Sequence, residues 1–260
     1  MSRVAPPYPK GHELLAGKTL VVTAAAGTGI GFWTARRAAE EGATVLISDF
    51  HERRLGQAAD QIEKESGQRP ATCLCDVTNA EQVAALAQTA VNELGRVDVL
   101  VNNAGLGGNA NVVDMTDEAW HRVLDITLNS TFRVTRAFLP HMLERQAGVI
   151  VNNASVLGWR AQPGQAHYAA AKAGVMAFTR CVAMEAAQAG VRVNAVAPSI
   201  ANHEFLSRGM PDGLIEELCA KEAFGRAAEP WEVANCIVFL ASDYSSYMTG
   251  EILSVSSQHA

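Results

Sequence analysis

No stretch of this sequence is apolar over the about 20 residues that a transmembrane helix requires, which argues against a helical membrane span. Lysine and arginine form no cluster and the net charge is −6, so no nucleic-acid partner is expected. Cysteine is sparse and unpatterned. Cys73, Cys75, Cys181, Cys219 and Cys236 make an odd set of 5 without a Cys-x-x-Cys pair or a Cys/His cluster at metal-ligand spacing, which points to reduced thiols and no metal. The opening segment MSRVAPPYPKGHELLAGK lacks an apolar core, so residues 1–13 read as a tail before the first strand and not as a secretion signal. A cytoplasmic protein without a membrane partner is expected, and the Asn129-Ser130-Thr131 sequon is then a chance match.

What the sequence does contain is a globular composition, 48% hydrophobic and 18% charged over 260 residues. Short β-branched runs alternate with Ala-rich helical stretches: TLVVT (19–23), TVLIS (44–48), ATCLC (71–75), VDVLVN (97–102), GVIVNN (148–153), VRVNAV (191–196) and EILSV (251–255). Continuous apolar strands separated by helices predict a parallel sheet covered on both faces. No linker or composition break interrupts them. The expectation is an α/β fold: a single doubly wound Rossmann domain over 14–260, with a seven-stranded parallel sheet and an insertion at about 199–229. Within that insertion Leu206, Met210, Leu214, Ile215 and Leu218 give an amphipathic pattern that suits either a lid over an apolar substrate or a plain packed helix.

The first strand runs into Thr23-Ala24-Ala25-Ala26-Gly27-Thr28-Gly29-Ile30-Gly31 and then a helical segment. A diphosphate needs close backbone approach and free N–H groups at a helix N-terminus, which such a turn supplies through Gly27, Gly29 and Gly31. Asp49 ends the second strand 18 residues after Gly31, where a carboxylate accepts both ribose hydroxyls and repels a 2′-phosphate. No basic residue lies in the 24–31 turn, so NAD is expected over NADP; Arg53 and Arg54 are near, at helix positions that usually face solvent. Asp76 and Val77 after the third strand, and Asn103, Ala104 and Gly105 after the fourth, fall where ligands of open α/β sheets bind.

Tyr168 and Lys172 stand one helical turn apart, as YAAAK, and Ser155 follows the fifth strand 13 residues before Tyr168. A free tyrosine, with a pKa of about 10, is a poor base at neutral pH. A neighbouring ammonium and an oxidised nicotinamide are expected to lower it, with Ser155 holding the substrate oxygen. Trp159 and Arg160 are candidates for the pocket wall or for core and surface roles, and His167 reads as a helix-start residue.

Taken in order, the turn at 23–31, NNAG at 102–105, VNNASVLG with Ser155, YAAAK at 168–172, VNAVAPS at 193–199 and GRAAEPWEVA at 225–234 resemble the short-chain dehydrogenase/reductase family over residues 14 to 257. The resemblance implies NAD(P)-dependent interconversion of secondary alcohols and ketones, a Ser155/Tyr168/Lys172 mechanism in which Lys172 also holds the nicotinamide ribose, and a homotetramer. It adds Ile30, Pro198, Ala201 and His203 to the cofactor contacts. The branch is similar to 3-oxoacyl reductases and hydroxyacyl-CoA dehydrogenases. The AAAGTGIG turn and the SDYSSYMTGEILSVSSQH ending look like actinobacterial enzymes that oxidise hydroxyacyl-CoA intermediates of steroid C/D-ring breakdown.

The chain also departs from the family pattern. Ala24 replaces the first Gly of the turn, which carries one additional residue, and Thr127 falls where the family has an Asn that fixes a proton-relay water. Asn129 lies on the wrong helical face to replace it. Ser199 and His203 stand where the family has Gly and a cofactor-contacting Thr, and Ser256-Ser257-Gln258 stands where it has Asp-Gly-Gly. His203 reads equally as a cofactor or substrate contact and as an exposed histidine at a lid hinge. Two alternatives remain open from the residues: an NADPH-dependent 3-oxoacyl reductase, and a non-catalytic NAD-binding protein.

Overall fold

The computed structural model describes residues 4–202 and 213–257. Its centre is one seven-stranded sheet made of β1 (Thr19–Thr23), β2 (Thr44–Asp49), β3 (Ala71–Leu74), β4 (Val99–Asn102), β5 (Gly148–Asn153), β6 (Val191–Pro198) and β7 (Ile252–Val255). The strand order is β3-β2-β1-β4-β5-β6-β7, and every pairing is parallel. The chain winds outward from β1 on one side and from β4 on the other. Their shared boundary is the switch point at whose carboxyl edge ligands of open α/β sheets sit.

Alternate residues of each strand serve opposite faces. Leu20, Val22, Ile47, Val101 and Val151 pack under α1 (Ile30–Glu40), α2 (Glu52–Ser66) and α8 (Pro230–Ala241), against Ala35, Leu55, Ile62 and Ile237. Val21, Leu46, Leu100 and Ile150 pack on the other face, under α3 (Ala80–Leu94), α5 (Ser130–Arg145) and α6 (Ala166–Ala186), against Leu86, Phe138, Met142 and Val182. The remaining helices are α4 (Asp117–Leu124), which runs into α5 through a π-helical turn at Asp125–Asn129, and α7 (Leu214–Lys221). GRAAEPWEVA builds the start of α8: Pro230 occupies its first turn, Glu229 and Glu232 form a capping box, and Arg226 pairs with Glu232 at 2.6 Å.

Residues set aside as a tail are docked from Tyr8 onward. The Tyr8 ring lies 5.6 Å from Trp33 of α1 and 5.5 Å from Trp231 of α8. Arg37 of α1 donates to the carbonyls of Pro9 at 2.6 Å and Lys10 at 3.0 Å. Its fully buried partner Glu41 accepts from the backbone N–H groups of His12 and Leu14. A buried ion pair of this kind is tolerable because both charged groups also hydrogen-bond to backbone.

All five cysteines are free. Among the described residues no cluster of His, Cys, Asp and Glu could hold a metal, and no helix is long and apolar enough to cross a membrane. Of the 199–229 insertion, residues 203–212, with His203, Leu206 and Met210, lie outside the described residues; α7 occupies part of the rest.

Candidate active site

The turn after β1 is gripped by its neighbours. Ala25 N–H donates to the Ser48 carbonyl at 3.1 Å, Ala26 N–H donates to Asp49 Oδ2 at 3.1 Å, and Asn103 Nδ2 donates to the Ala24 carbonyl at 3.0 Å. The missing family glycine has a measurable consequence, because Ala24 sits at φ +52°, a left-handed conformation that costs a non-glycine residue about 1 kcal/mol or more. Ala24→Gly is expected to raise stability by about 1 kcal/mol, moving the thermal midpoint up by about 2–4 °C for a chain of this size. A midpoint that stays or falls would show that the alanine is not strained.

The glycines divide the labour. Gly27 takes φ +143°. A Cβ on Gly31 would meet Asn103 Nδ2 at 2.4 Å and the Ala24 carbonyl at 2.5 Å, whereas one on Gly29 would meet nothing within 4 Å. Gly31 thus serves packing, and Gly29 opens room at the helix end. Gly29 caps α1 without a side-chain hydrogen bond, and the first turn, from Ile30, holds no acidic residue, so its N–H groups and dipole favour an anion. Asp49, nearly buried, accepts from Ala26 N–H and His51 N–H, both at 3.1 Å. That leaves part of its acceptor capacity for ribose hydroxyls. Burial raises its pKa, while backbone hydrogen bonds from Ala26 and Phe50 and the charge of Arg54 pull it back. The expectation that Arg53 and Arg54 both face solvent fails for Arg54: it is half-buried and close enough to act on Asp49.

Asp76 is exposed. Its Oδ1 accepts from the N–H and hydroxyl of Thr78, closing the turn that leads to α3, with Val77 half-buried between them. Asn103 joins the two halves of the site: its N–H donates to Thr23 Oγ1 at 3.1 Å, and its Oδ1 accepts from Asn153 Nδ2 at 3.0 Å. Ala104 is nearly buried beside it. Across the neighbouring register pair, Asn102 and Asn152 link Thr135 of α5 to Thr179 of α6 through buried hydrogen bonds of 2.8–2.9 Å. No motif of the sequence had marked Asn152 or Asn153 as site residues. The signal was the doubled Asn ending both the fourth and fifth strands, since buried amides require partners.

Ser155, Tyr168 and Lys172 converge beyond β5. Ser155 caps a short 3-10 turn, accepting from Leu157 N–H at 3.2 Å, and Gly158 lets that turn press on α6, where a Cβ would strike Met176 at 2.6 Å. The Ser155 and Tyr168 hydroxyls hydrogen-bond to each other. Lys172 Nζ lies 5.6 Å from the Tyr168 ring centroid and donates to the Asn153 carbonyl. Gly105 faces it, and a Cβ there would come within 3.3 Å of Nζ. Burial pushes the Tyr168 phenol up to about 12, against the Ser155 hydrogen bond, and pushes Lys172 down to about 7. Burial alone therefore disfavours both charged forms, and the lowering expected for the phenol rests on the charge of a bound oxidised nicotinamide.

Thr127 lies in the π-helical turn, fully buried. Its hydroxyl accepts from Leu106 N–H at 3.0 Å and donates to the Leu106 carbonyl at 3.2 Å, so it clamps the segment that carries Gly105. Asn129 is exposed and spends its amide on Asp125, on the other face as expected. Thr127→Val bares both backbone groups of Leu106 and is expected to cost about 1–3 kcal/mol of stability, read from the denaturation midpoint. Unchanged stability would show that the two hydrogen bonds to Leu106 do not hold the Gly105 segment.

Pro198 ends β6, Ser199 N–H donates to the Val255 carbonyl at 3.1 Å, and Ala201 bridges to Ala228. Ser257 donates through N–H and hydroxyl to buried Glu222, tying the chain beyond β7 to the end of α7. His167 is buried against Gly108, and Trp159 is half exposed after the Ser155 turn. The described candidate residues therefore all lie on the carboxyl edge of one sheet.

A family model described as enoyl-(acyl carrier protein) reductase matches residues 24–257. The chain is 62% identical over 257 residues, 98% of both chains, to a (5R,7aS)-5-hydroxy-7a-methyl-1-oxo-2,3,5,6,7,7a-hexahydro-1H-indene-carboxyl-CoA reductase of Mycobacterium tuberculosis. It superposes on a short chain dehydrogenase from Mycobacterium smegmatis with 60% identity, 99% coverage of both chains and a TM-score of 0.88. An NAD+-bound xylitol dehydrogenase matches with 30% identity over 94% of this chain and 99% of the other, at a TM-score of 0.88. With this sheet, this turn and this Ser/Tyr/Lys cluster, the chain belongs to the short-chain dehydrogenase/reductase family, Rossmann-fold oxidoreductases that use a nicotinamide cofactor.

Proposed function

We propose that this chain is a cytoplasmic, NAD-dependent dehydrogenase/reductase that interconverts a secondary alcohol and a ketone on the CoA thioester of a hydroxylated fused bicyclic acid. The convergence of Ser155, Tyr168 and Lys172 carries the reaction type. The 62% identical mycobacterial relative, a hydroxy-methyl-oxo-indene-carboxyl-CoA reductase, supplies the substrate class, a ring system with an angular methyl joined to CoA, in keeping with the steroid C/D-ring resemblance.

A bound nicotinamide supplies the hydride donor or acceptor, and in its oxidised form a positive charge that favours the phenolate. The chain's residues do the rest. Gly27, Gly29, Ile30 and Gly31 hold the diphosphate at the start of α1; Asp49 holds the adenosine ribose; Asp76 and Val77 border the adenine. Asn103, Ala104 and Gly105 line the floor, and Pro198 and Ala201 close the far side, with His203 two residues on. Ser155 holds the substrate oxygen, Tyr168 gives or takes its proton, and Lys172 receives protons from Tyr168 and holds the nicotinamide ribose. Thr127 keeps the Gly105 segment in place and retains a lone pair for one relay water. The described part of the 199–229 insertion, with α7, serves as a lid over the substrate within a single domain over 14–260. Exposed Phe132 and Met184 on α5 and α6, and exposed Tyr244 and Tyr247 after α8, give two apolar faces that suit a homotetramer.

The test is to incubate the protein with NAD and, separately, CoA thioesters of hydroxylated bicyclic and linear acids, following NADH formation. NADH should form fastest with the bicyclic thioester. Turnover confined to linear 3-oxoacyl thioesters with NADPH would overturn the reading in favour of the biosynthetic alternative, and no turnover with any of them would favour a binding protein.

A further inference from the structure

Asn153, the last residue of β5, stands between the two halves of the site. The orientation of its amide is fixed by its neighbour. Asn103 spends its Nδ2 on the carbonyls of Thr23 at 3.2 Å and Ala24 at 3.0 Å, so its Oδ1 must face the Nδ2 of Asn153, at 3.0 Å. The Asn153 Oδ1 is thereby turned away, and it is buried with no hydrogen-bond partner. The main-chain carbonyl of the same residue accepts from Lys172 Nζ. One side chain and one carbonyl thus continue a hydrogen-bonded path from the glycine-rich turn to the lysine. Packing alone does not explain an amide here, because a leucine has a similar shape and leaves no bare acceptor on β5. A buried orphan acceptor at a ligand site calls for a donor that arrives with the ligand.

We propose that Asn153 is a positioning residue of the cofactor site, whose Oδ1 accepts a hydrogen bond from a donor group on the nicotinamide half of the bound dinucleotide, while its amide nitrogen and main-chain carbonyl tie the glycine-rich turn to Lys172. The inference rests on the nicotinamide binding that comes with the family, and not on the choice of substrate. The donors available on that half are the ribose hydroxyls and the carboxamide N–H groups. In the proposed function the adenosine and diphosphate half falls to Asp49 and the α1 terminus.

The experiment is a pair of equilibrium titrations on Asn153→Leu, one with NADH and one with ADP, neither needing turnover. NADH affinity is expected to fall at least about tenfold, equivalent to about 1.4 kcal/mol, while ADP affinity stays within about twofold of wild type. NADH binding within twofold of wild type would overturn the proposal. Equal losses for NADH and ADP would overturn it too, since they would mean that the substitution only disturbs the turn. Should the leucine variant fail to fold, Asn153→Ser, whose hydroxyl is too short to reach Asn103, carries the same expectations and the same overturning results.

Discussion

Tyr168→Phe is expected to lower turnover by about two to four orders of magnitude and to leave NADH affinity within about threefold of wild type. The substitution removes one oxygen and keeps the ring that packs above Lys172. The lost atom is the group that hydrogen-bonds to Ser155 and the one proposed to exchange a proton with the substrate. The pKa shifts add a pH signature. Burial depresses Lys172 to about 7, so in the unliganded fold it is charged below that pH and neutral above it, and only the neutral amine can take up a proton passed on by Tyr168. Alcohol oxidation by the wild type should therefore rise as pH increases through about 7, and the phenylalanine variant should lose that rise. The same shift makes folding more favourable as pH climbs from about 7 toward the ordinary lysine value of 10.5, because the unfolded chain binds the extra proton in that window. A variant that keeps more than a tenth of the turnover would remove Tyr168 from the reaction.

NADPH is expected to bind at least about a hundredfold more weakly than NADH, a difference of about 2.7 kcal/mol. Asp49 is the cause. Charged hydrogen bonds contribute about 1.5–3 kcal/mol each, and a 2′-phosphate would replace the ribose hydroxyl that makes one with a second anion next to a nearly buried carboxylate. Arg54 sharpens the test. It already acts on Asp49, so Asp49→Ser removes the repelling carboxylate while leaving a positive charge nearby, and should bring the two affinities to within about tenfold. Fluorescence titration of both reduced cofactors against both proteins decides it. Equal binding to the wild type would mean that Asp49 does not select the cofactor.

The strands were legible because each is apolar on both faces and ends in a turn, but their edges moved for reasons that hydropathy does not carry. β4 starts at Val99 and not at Val97 because Asp98 acts as a polar bracket, accepting from Thr19 N–H at 2.9 Å and from Arg145 at 2.6 Å. β6 runs on to Pro198, since its last residues still pair with β7 and a proline at a strand end forfeits no necessary donor. In the site, local motifs were readable: the turn, Asp49, and the i, i+4 pair Tyr168 and Lys172. Partnerships across the sheet were not. Nothing in linear spacing shows that Thr127 closes on Leu106, or that Asn153 meets Asn103 from 50 residues away. Nor does spacing reveal the burial around the Tyr168–Lys172 pair, which raises the phenol and lowers the amine.

The docked amino-terminal segment has a mechanical consequence. Helix α1 is 11 residues long, a rod of about 16 Å at 1.5 Å per residue. One end carries the proposed diphosphate site, while Arg37 near the other grips the carbonyls of Pro9 and Lys10. Tension applied ahead of Tyr8 is therefore delivered along the rod to the turn beneath the cofactor. An affinity handle or fusion partner placed at this terminus needs a slack spacer before Tyr8, or it will lever on nucleotide binding from the far side of the molecule.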